Sequence, residues 1–241
     1  MYCFLSLVSF LCQLQMNCLI GDSRVLSIKN SHHARLLIEV EDIWGRPGLK
    51  LNKCNSLVEN NIILHHPPII NGQTHYYIMA GICDVTCRLK HGSYEEVIFQ
   101  NKETTINNTT SQLDRLSEVI CRMGAKPIFC TIPPMSLQNW NNNRLKQRKT
   151  ISLNFQDQYA RMQKEMEEAL EVINSHIINI NKSHNMHTPL LHTALHRRRR
   201  GKAYTMYELL RDGCHPGNAM AKNCVDSIKR AIAINNQLRQ Y

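Results

Sequence analysis

The chain has 241 residues, 43% of them hydrophobic, enough apolar material for one α/β domain with a substantial core. Its 29 Lys and Arg exceed its 19 Asp and Glu by ten, a surplus that attracts polyanions. Its ten cysteines are scattered, with Cys18, Cys83 and Cys130 in or beside apolar runs; no spacing resembles a zinc framework, Cys83, Cys87 and His91 being the nearest approach, and a reducing compartment fits best.

The first fifteen residues are apolar from Tyr2 to Cys12, too short a run to span a bilayer as a helix. No Lys or Arg precedes the run and no small-residue cleavage site follows it, so residues 1–15 read as an N-terminal extension ahead of an alternative start at Met16. The expected compartment is intracellular, cytoplasmic or nuclear. Secretion is the lesser alternative, and the sequons at Asn107, Asn108 and Asn181 matter only there.

Five short apolar runs, 16–20, 36–40, 76–80, 128–132 and 177–180, are the strand candidates. They are continuous rather than alternating, as expected of parallel strands buried on both faces. Between them the spacing predicts helices. Leu113, Leu116, Ile120 and Met123 mark one, stopped by Gly124. Phe155, Tyr159, Met162, Met166, Leu170, Ile173 and Ile177 mark the clearest, and its methionines read as core filling. After Pro216, a last helix places Ala221, Cys224, Val225, Ile228, Ala231 and Ile232 on one face. Alternation of this kind predicts a doubly wound five-stranded parallel sheet in a single domain over residues 16–241.

Two polar stretches, 136–151 and 181–205, each follow a predicted strand and should rim the carboxyl edge of the sheet, where such folds bind ligands. Each carries a basic cluster. Arg144, Lys146, Arg148 and Lys149 form one; Arg197, Arg198, Arg199, Arg200 and Lys202 form the other. Such runs bind polyanions or act as a nuclear localisation signal, or are simply solvated. Trp140 and the Tyr76-Tyr77 pair read as edge packing and core rather than as base-stacking platforms.

Two motifs carry chemistry. Gly21-Asp22-Ser23 follows the first strand, and Asp212-Gly213-Cys214-His215 precedes the last helix. A serine hydroxyl becomes a nucleophile when a base takes its proton, and the base needs a third group to fix its tautomer. Ser23, His215 and Asp212 are the residue types for those roles. Read locally, Asp22 or Ser23 caps a helix, Asp212 caps a turn and Pro216 opens a helix.

With these motifs in this order the chain resembles the SGNH (GDSL-type) hydrolases, over about residues 16–237. The resemblance implies a flavodoxin-like α/β/α fold of three layers and an esterase or acyl hydrolase without metal or organic cofactor. It assigns Ser23 as nucleophile, His215 as base and Asp212 as its orienting acid. Gly48 best matches the glycine block, with Gly45 the alternative register. The third block, Gly-x-Asn-Asp in the family, reads Gly81-Ile82-Cys83-Asp84 here. A thiol therefore replaces an amide donor to the oxyanion and is much the weaker donor. The oxyanion hole implied is Ser23, Gly48 and Cys83, supported by Asp22, Gly81 and Asp84. The expected activity is hydrolysis of a small ester or acyl substrate through this weakened hole. The alternative is an inactive module that binds nucleic acid or another polyanion through its basic loops. Domains of this kind also occur in mobile-element and viral reading frames, an origin that the basic loops suit.

Overall fold

A computed structural model describes residues 16–59, 74–91, 94–147, 156–199 and 202–238. In chain order, β1 (Met16–Gly21) leads into α1 (Ser23–Lys29), then β2 (Asp42–Gly45), α2 (Leu51–Glu59) and β3 (Thr74–Met79). A short helix α3 (Ile82–Val85) precedes a hairpin of β4 (Cys87–His91) and β5 (Tyr94–Ile98), then α4 (Lys102–Arg122) and β6 (Lys126–Phe129). Helices α5 (Leu137–Gln147) and α6 (Gln156–Ser183) follow, then a second hairpin of β7 (His196–Arg199) and β8 (Lys202–Thr205), and finally α7 (Asn218–Gln237).

The main sheet is parallel throughout, in the order β2-β1-β3-β6. Its inner strands are apolar because both faces are covered. Cys18 and Ile20 of β1 join Tyr76, Ile78 and Phe129 in one core, against Leu57, Leu113, Leu116, Ile120, Leu170, Ile173 and Ile177 of α2, α4 and α6. Leu19 joins Tyr77, Met79 and Ile128 in the other, against Val25, Ile28, Val225, Ile228 and Ile232 of α1 and α7. Side chains that alternate along a strand must serve opposite faces, so each strand feeds both cores. Each buried Leu, Ile or Val contributes about 1.5–3 kcal/mol. The stripe from Tyr159 to Ile177 on α6 is core, as its spacing predicts, and Met166 is fully buried. Phe155 lies outside the described residues.

Two of the five strand candidates are corrected. Residues 36–40 form no strand: Ala34–Leu36 is a 3-10 turn, Ile38 is 85% exposed, and pairing with β1 begins only at β2. Hydrophobicity without alternating burial marked a surface turn there. Residues 177–180 lie inside α6, where Ile177 and Ile180 face the core three positions apart while Ile178 is exposed. That spacing is helical. The main sheet thus has four strands among the described residues. The polar stretch 136–151 is also not a loop throughout, since α5 occupies residues 137–147 and its remainder lies outside the description. Residues 1–15 lie outside it too.

The free edge of β6 is closed without a further strand. Residues 186–190 form no strand, and among the described residues they give the continuation of β6 one backbone acceptor, the Pro189 carbonyl, to the Thr131 N–H at 3.1 Å. Proline has no N–H to return. Two asparagines on α6 complete the seal. Asn181 accepts from the Phe129 N–H (2.9 Å) and donates to its carbonyl (2.8 Å); Asn174 does the same for Ile132 (2.6 and 3.0 Å). No helix among the described residues is long and apolar enough to cross a membrane.

Removing either amide strands a buried peptide N–H and carbonyl. Asn174→Ala and Asn181→Ala should each lower stability by about 1–3 kcal/mol in urea unfolding. A loss no greater than that of Asn179→Ala, on the exposed face of the same helix, would show that water replaces the clamp.

Candidate active site

β1 ends in a turn that is fixed by charge. Asp22 is the N-cap of α1, its Oδ1 accepting from the Arg24 N–H at 2.8 Å. The Arg24 guanidinium returns to the same carboxylate through Nη2–Oδ2 at 2.9 Å and Nε–Oδ1 at 3.2 Å. Its Nη1 donates to the Pro133 carbonyl at 3.3 Å. Both side chains are buried. Burial disfavours the guanidinium charge, but the adjacent Asp22 carboxylate outweighs it and holds the arginine more firmly protonated than usual. Ser23, between these two anchored residues, is the first residue of α1.

The second motif is a closed loop. Leu210 pairs with Pro216, and the Arg211 N–H donates to the His215 carbonyl at 2.8 Å. Gly213 has φ +91, and a Cβ there would meet the Trp140 nitrogen at 2.6 Å and the Ser136 carbonyl at 2.9 Å. Only glycine fits. Within the loop, Asp212 Oδ1 accepts from the His215 and Cys214 N–H groups at 2.8 and 3.1 Å. Its Oδ2 lies 2.6 Å from His215 Nδ1. His215 Nε2 lies 2.8 Å from Ser23 Oγ, across 192 positions of sequence. Burial would raise the Asp212 carboxyl, but the hydrogen bonds from the His215 ring and from the two N–H groups overcome it and hold the group at about 2. A carboxylate at Nδ1 fixes the proton there and leaves the Nε2 lone pair facing the serine hydroxyl.

The glycine and third blocks face the same point. Pro47 and Gly48 form a turn closed by the Leu49 N–H on the Arg46 carbonyl (3.2 Å), and Gly48 has φ +68. That pair suits the central positions of a type II turn. A Cβ at Gly48 would meet nothing within 4 Å, so this backbone borders open space. Gly45 instead ends β2, where a Cβ would press on Leu26. Gly81 precedes α3, which carries Cys83 and Asp84. Asp84 turns both oxygens to the Leu51 N–H, at 3.0 and 3.2 Å, so the third block holds the first turn of α2 beside Gly48. Burial, opposed by that N–H and by Lys50, pushes the Asp84 carboxyl up to about 6. Burial and the Asp22 carboxylate push the Cys83 thiol up to about 11.

Two cavities meet at the Ser23–His215 pair. One, of about 470 Å³, is walled by Gly48, Ile82, Cys83, Val97, Met135 and Trp140, with Lys50 and Arg88 also lining it. The other, about 410 Å³, runs along α1 and the loop that holds His215, past Ser27, Asn30, Arg211 and Gly217. Trp140 is not mere edge packing, for its ring lies 5.5 Å from that of His215, and the Arg144 guanidinium sits 5.2 Å from its centroid. Of the basic clusters, Arg144 pairs with Glu95 at 3.1 Å and Arg197 is exposed on β7. The side chains of Lys146, Arg148, Lys149, Arg198, Arg199, Arg200 and Lys202 lie outside the described residues.

Sequence reading missed Arg24, Trp140, Lys50 and Arg88. An arginine two places after an acid, directly behind a candidate nucleophile, was a usable sign for the first. The other three become neighbours of the site only through packing. No group of three His, Cys, Asp or Glu side chains among the described residues is placed to hold a metal ion.

No family model and no curated protein matches the sequence. Solved structures do. A GDSL-like lipase from Bacteroides thetaiotaomicron superposes with a TM-score of 0.59 at 14% identity, over 92% of this chain and 89% of its own. A protein assigned to the SGNH hydrolases, from Slackia heliotrinireducens, gives 0.55 at 13% identity, over 90% and 98%. The C-terminal domain of the Drosophila Oskar protein gives 0.54 at 12% identity, over 92% and 95%. Likeness at such identity speaks to architecture and leaves activity to the site itself. By that architecture, the chain has the fold of the SGNH (GDSL-type) hydrolases.

Proposed function

We propose that this chain is a serine hydrolase that cleaves esters or related acyl bonds on a single flavodoxin-like α/β/α domain of three layers. The observation that carries the proposal is the unbroken chain from Ser23 Oγ through His215 to the Asp212 carboxylate, with contacts of 2.8 and 2.6 Å. Ser23 Oγ attacks the carbonyl carbon while His215 Nε2 takes its proton. The Asp212 carboxylate, ionised at any pH above about 4, stabilises the imidazolium that results. His215 then gives the proton to the leaving alcohol, and an acyl group remains on Ser23. Water repeats the sequence and frees the serine.

The oxyanion needs donors on the side of Ser23 away from the histidine loop. The backbone N–H groups of Ser23 and Gly48 supply two. Cys83 supplies a third, weaker one. The burial that keeps this thiol protonated matters, since a thiolate there would repel the developing oxyanion. The second reading, an inactive module that binds nucleic acid or another polyanion through residues 197–202, draws on Cys83 where the family has asparagine. Against it, an idle site has no use for all three of Ser23, His215 and Asp212 in bonding order.

A fluorophosphonate probe should label the native chain and fail to label Ser23→Ala of equal foldedness. Equal labelling of both would overturn the hydrolase reading, and so would labelling of neither.

Cys83→Asn restores an amide donor and should raise turnover of a small activated ester by up to about 10²–10³. The gain should lie in kcat, because the bond strengthens as the oxyanion forms. It should vanish in combination with Ser23→Ala. An unchanged kcat in an active protein would mean that Cys83 does not face the oxyanion.

Asp84 gives a test by pH. Its folded value, about 6, lies above the ordinary carboxylate value, so the folded state holds this proton more tightly than the unfolded one. Its contribution to stability is therefore full below about pH 4 and lost as pH rises through 6. Asp84→Asn, which keeps an oxygen for the Leu51 N–H, should remove that fall. Relative to the native chain it should gain urea resistance between pH 4 and 7. A constant difference across that range would place the Asp84 proton elsewhere.

A further inference from the structure

The larger cavity beside Ser23 has an unbalanced lining. Among the described residues its walls include two cations, Lys50 and Arg88, and no carboxylate. Lys50 forms no ion pair among the described residues, and its acidic neighbour Asp84 turns both oxygens to the Leu51 N–H instead. Among the described residues Arg88 has one acid, which it shares. Glu95 lies 3.8 Å from Arg88 but 3.1 Å from Arg144, so a single carboxylate faces two guanidinium groups. The smaller cavity differs in kind, because hydroxyl and amide groups line it with Arg211 as its one charge.

The two halves of an ester are not equivalent at this site. The leaving oxygen must lie against His215 Nε2 to receive its proton. The smaller cavity is built from that histidine's own loop neighbours Arg211, Pro216 and Gly217. The carbonyl oxygen must turn towards Gly48 and Cys83, which line the larger cavity, and the acyl chain goes with it. An acyl group in that cavity runs along Ile82, Val97 and Met135 and ends near Lys50 and Arg88. A neutral chain would add nothing to the shared Glu95 beside Arg88 or to the Asp84 carboxylate near Lys50. A chain ending in a carboxylate would meet a point charge and a guanidinium fork that suits two carboxylate oxygens.

We propose that the acyl group this site selects is short and ends in an anion, a dicarboxylic half-ester being the simplest case, with Lys50 and Arg88 as the residues that recognise it. The proposal rests on the hydrolase reading for the placement of the acyl chain. Its two cations are exposed, so their effect is one of preference and weakens with added salt.

The test compares two esters with one leaving group, p-nitrophenyl butyrate and mono-p-nitrophenyl glutarate, by kcat/KM. The native chain should favour the glutarate by about threefold to tenfold at low salt, the scale of two exposed ion pairs. Lys50→Gln and Arg88→Gln should each lower that ratio, and Lys50→Arg and Arg88→Lys should restore it. Equal rates, or a preference for butyrate, would overturn the proposal and leave the hydrolase reading standing. A second arm needs no turnover. Ser23→Ala should bind monomethyl glutarate more tightly than dimethyl glutarate in calorimetry, and adding Lys50→Gln should erase the difference. If neither ester is cleaved and this difference persists, the hydrolase reading fails while the anion site stands. If the half-ester and the diester bind alike, the anion site falls.

Discussion

The ion pair of Asp22 with Arg24 is the interaction on which the site depends. Neither charge would remain in the interior without the other. Removing one leaves the second uncompensated, at a cost of about 3–5 kcal/mol. The pair also joins four pieces of chain. Asp22 donates its N–H to the Met79 carbonyl at the end of β3 and caps α1, while Arg24 reaches the Pro133 carbonyl beyond β6. The turn that carries Ser23 is thereby fastened to β1, β3 and the continuation of β6 at once. A nucleophile held this way can meet a histidine 192 residues distant with little freedom left to lose.

The same pair sets the electrostatics above it. Two thiols, Cys83 and Cys214, lie close enough to feel both charges. Burial raises both thiols, Asp22 adds to the effect and Arg24 opposes it, and both end far above neutrality. The site thus keeps its sulfur neutral and its one exposed-side anion, Asp212, on the far side of the imidazole. The negative charge of the reaction would form beside neutral thiols rather than thiolates, with Arg24 opposing the field of Asp22 there.

What the sequence revealed followed from local physics. β1, β3 and β6 were legible because strands buried on both faces must be apolar throughout, and α6 because its stripe repeats at 3.6. Ser23, Asp212 and His215 were legible because each motif carries its own turn chemistry. Residues 36–40 and 177–180 misled because a short apolar run has no period long enough to separate strand from turn or helix. The two hairpins escaped notice for the opposite reason. Their first strands, Cys87–His91 and His196–Arg199, are rich in charge and show no apolar run, each pairing with the strand that follows it. Arg24, Trp140 and Lys50 acquire their places from tertiary contact, which no spacing encodes.

The asparagine clamps on the edge of β6 act as a ruler. Asn174 and Asn181 are seven residues apart on a helix, about 10.5 Å along its axis. Phe129 ends β6 and Ile132 lies three residues beyond it, a reach of at most about 10 Å. The two lengths agree, and because the earlier asparagine meets the later strand residue, helix and strand must run in opposite directions. A slip of one residue on either side would move both amides off their peptide groups together. The helix therefore measures the strand as well as covering it, and the segment leading from β6 to Met135 at the cavity wall leaves the sheet at a fixed height.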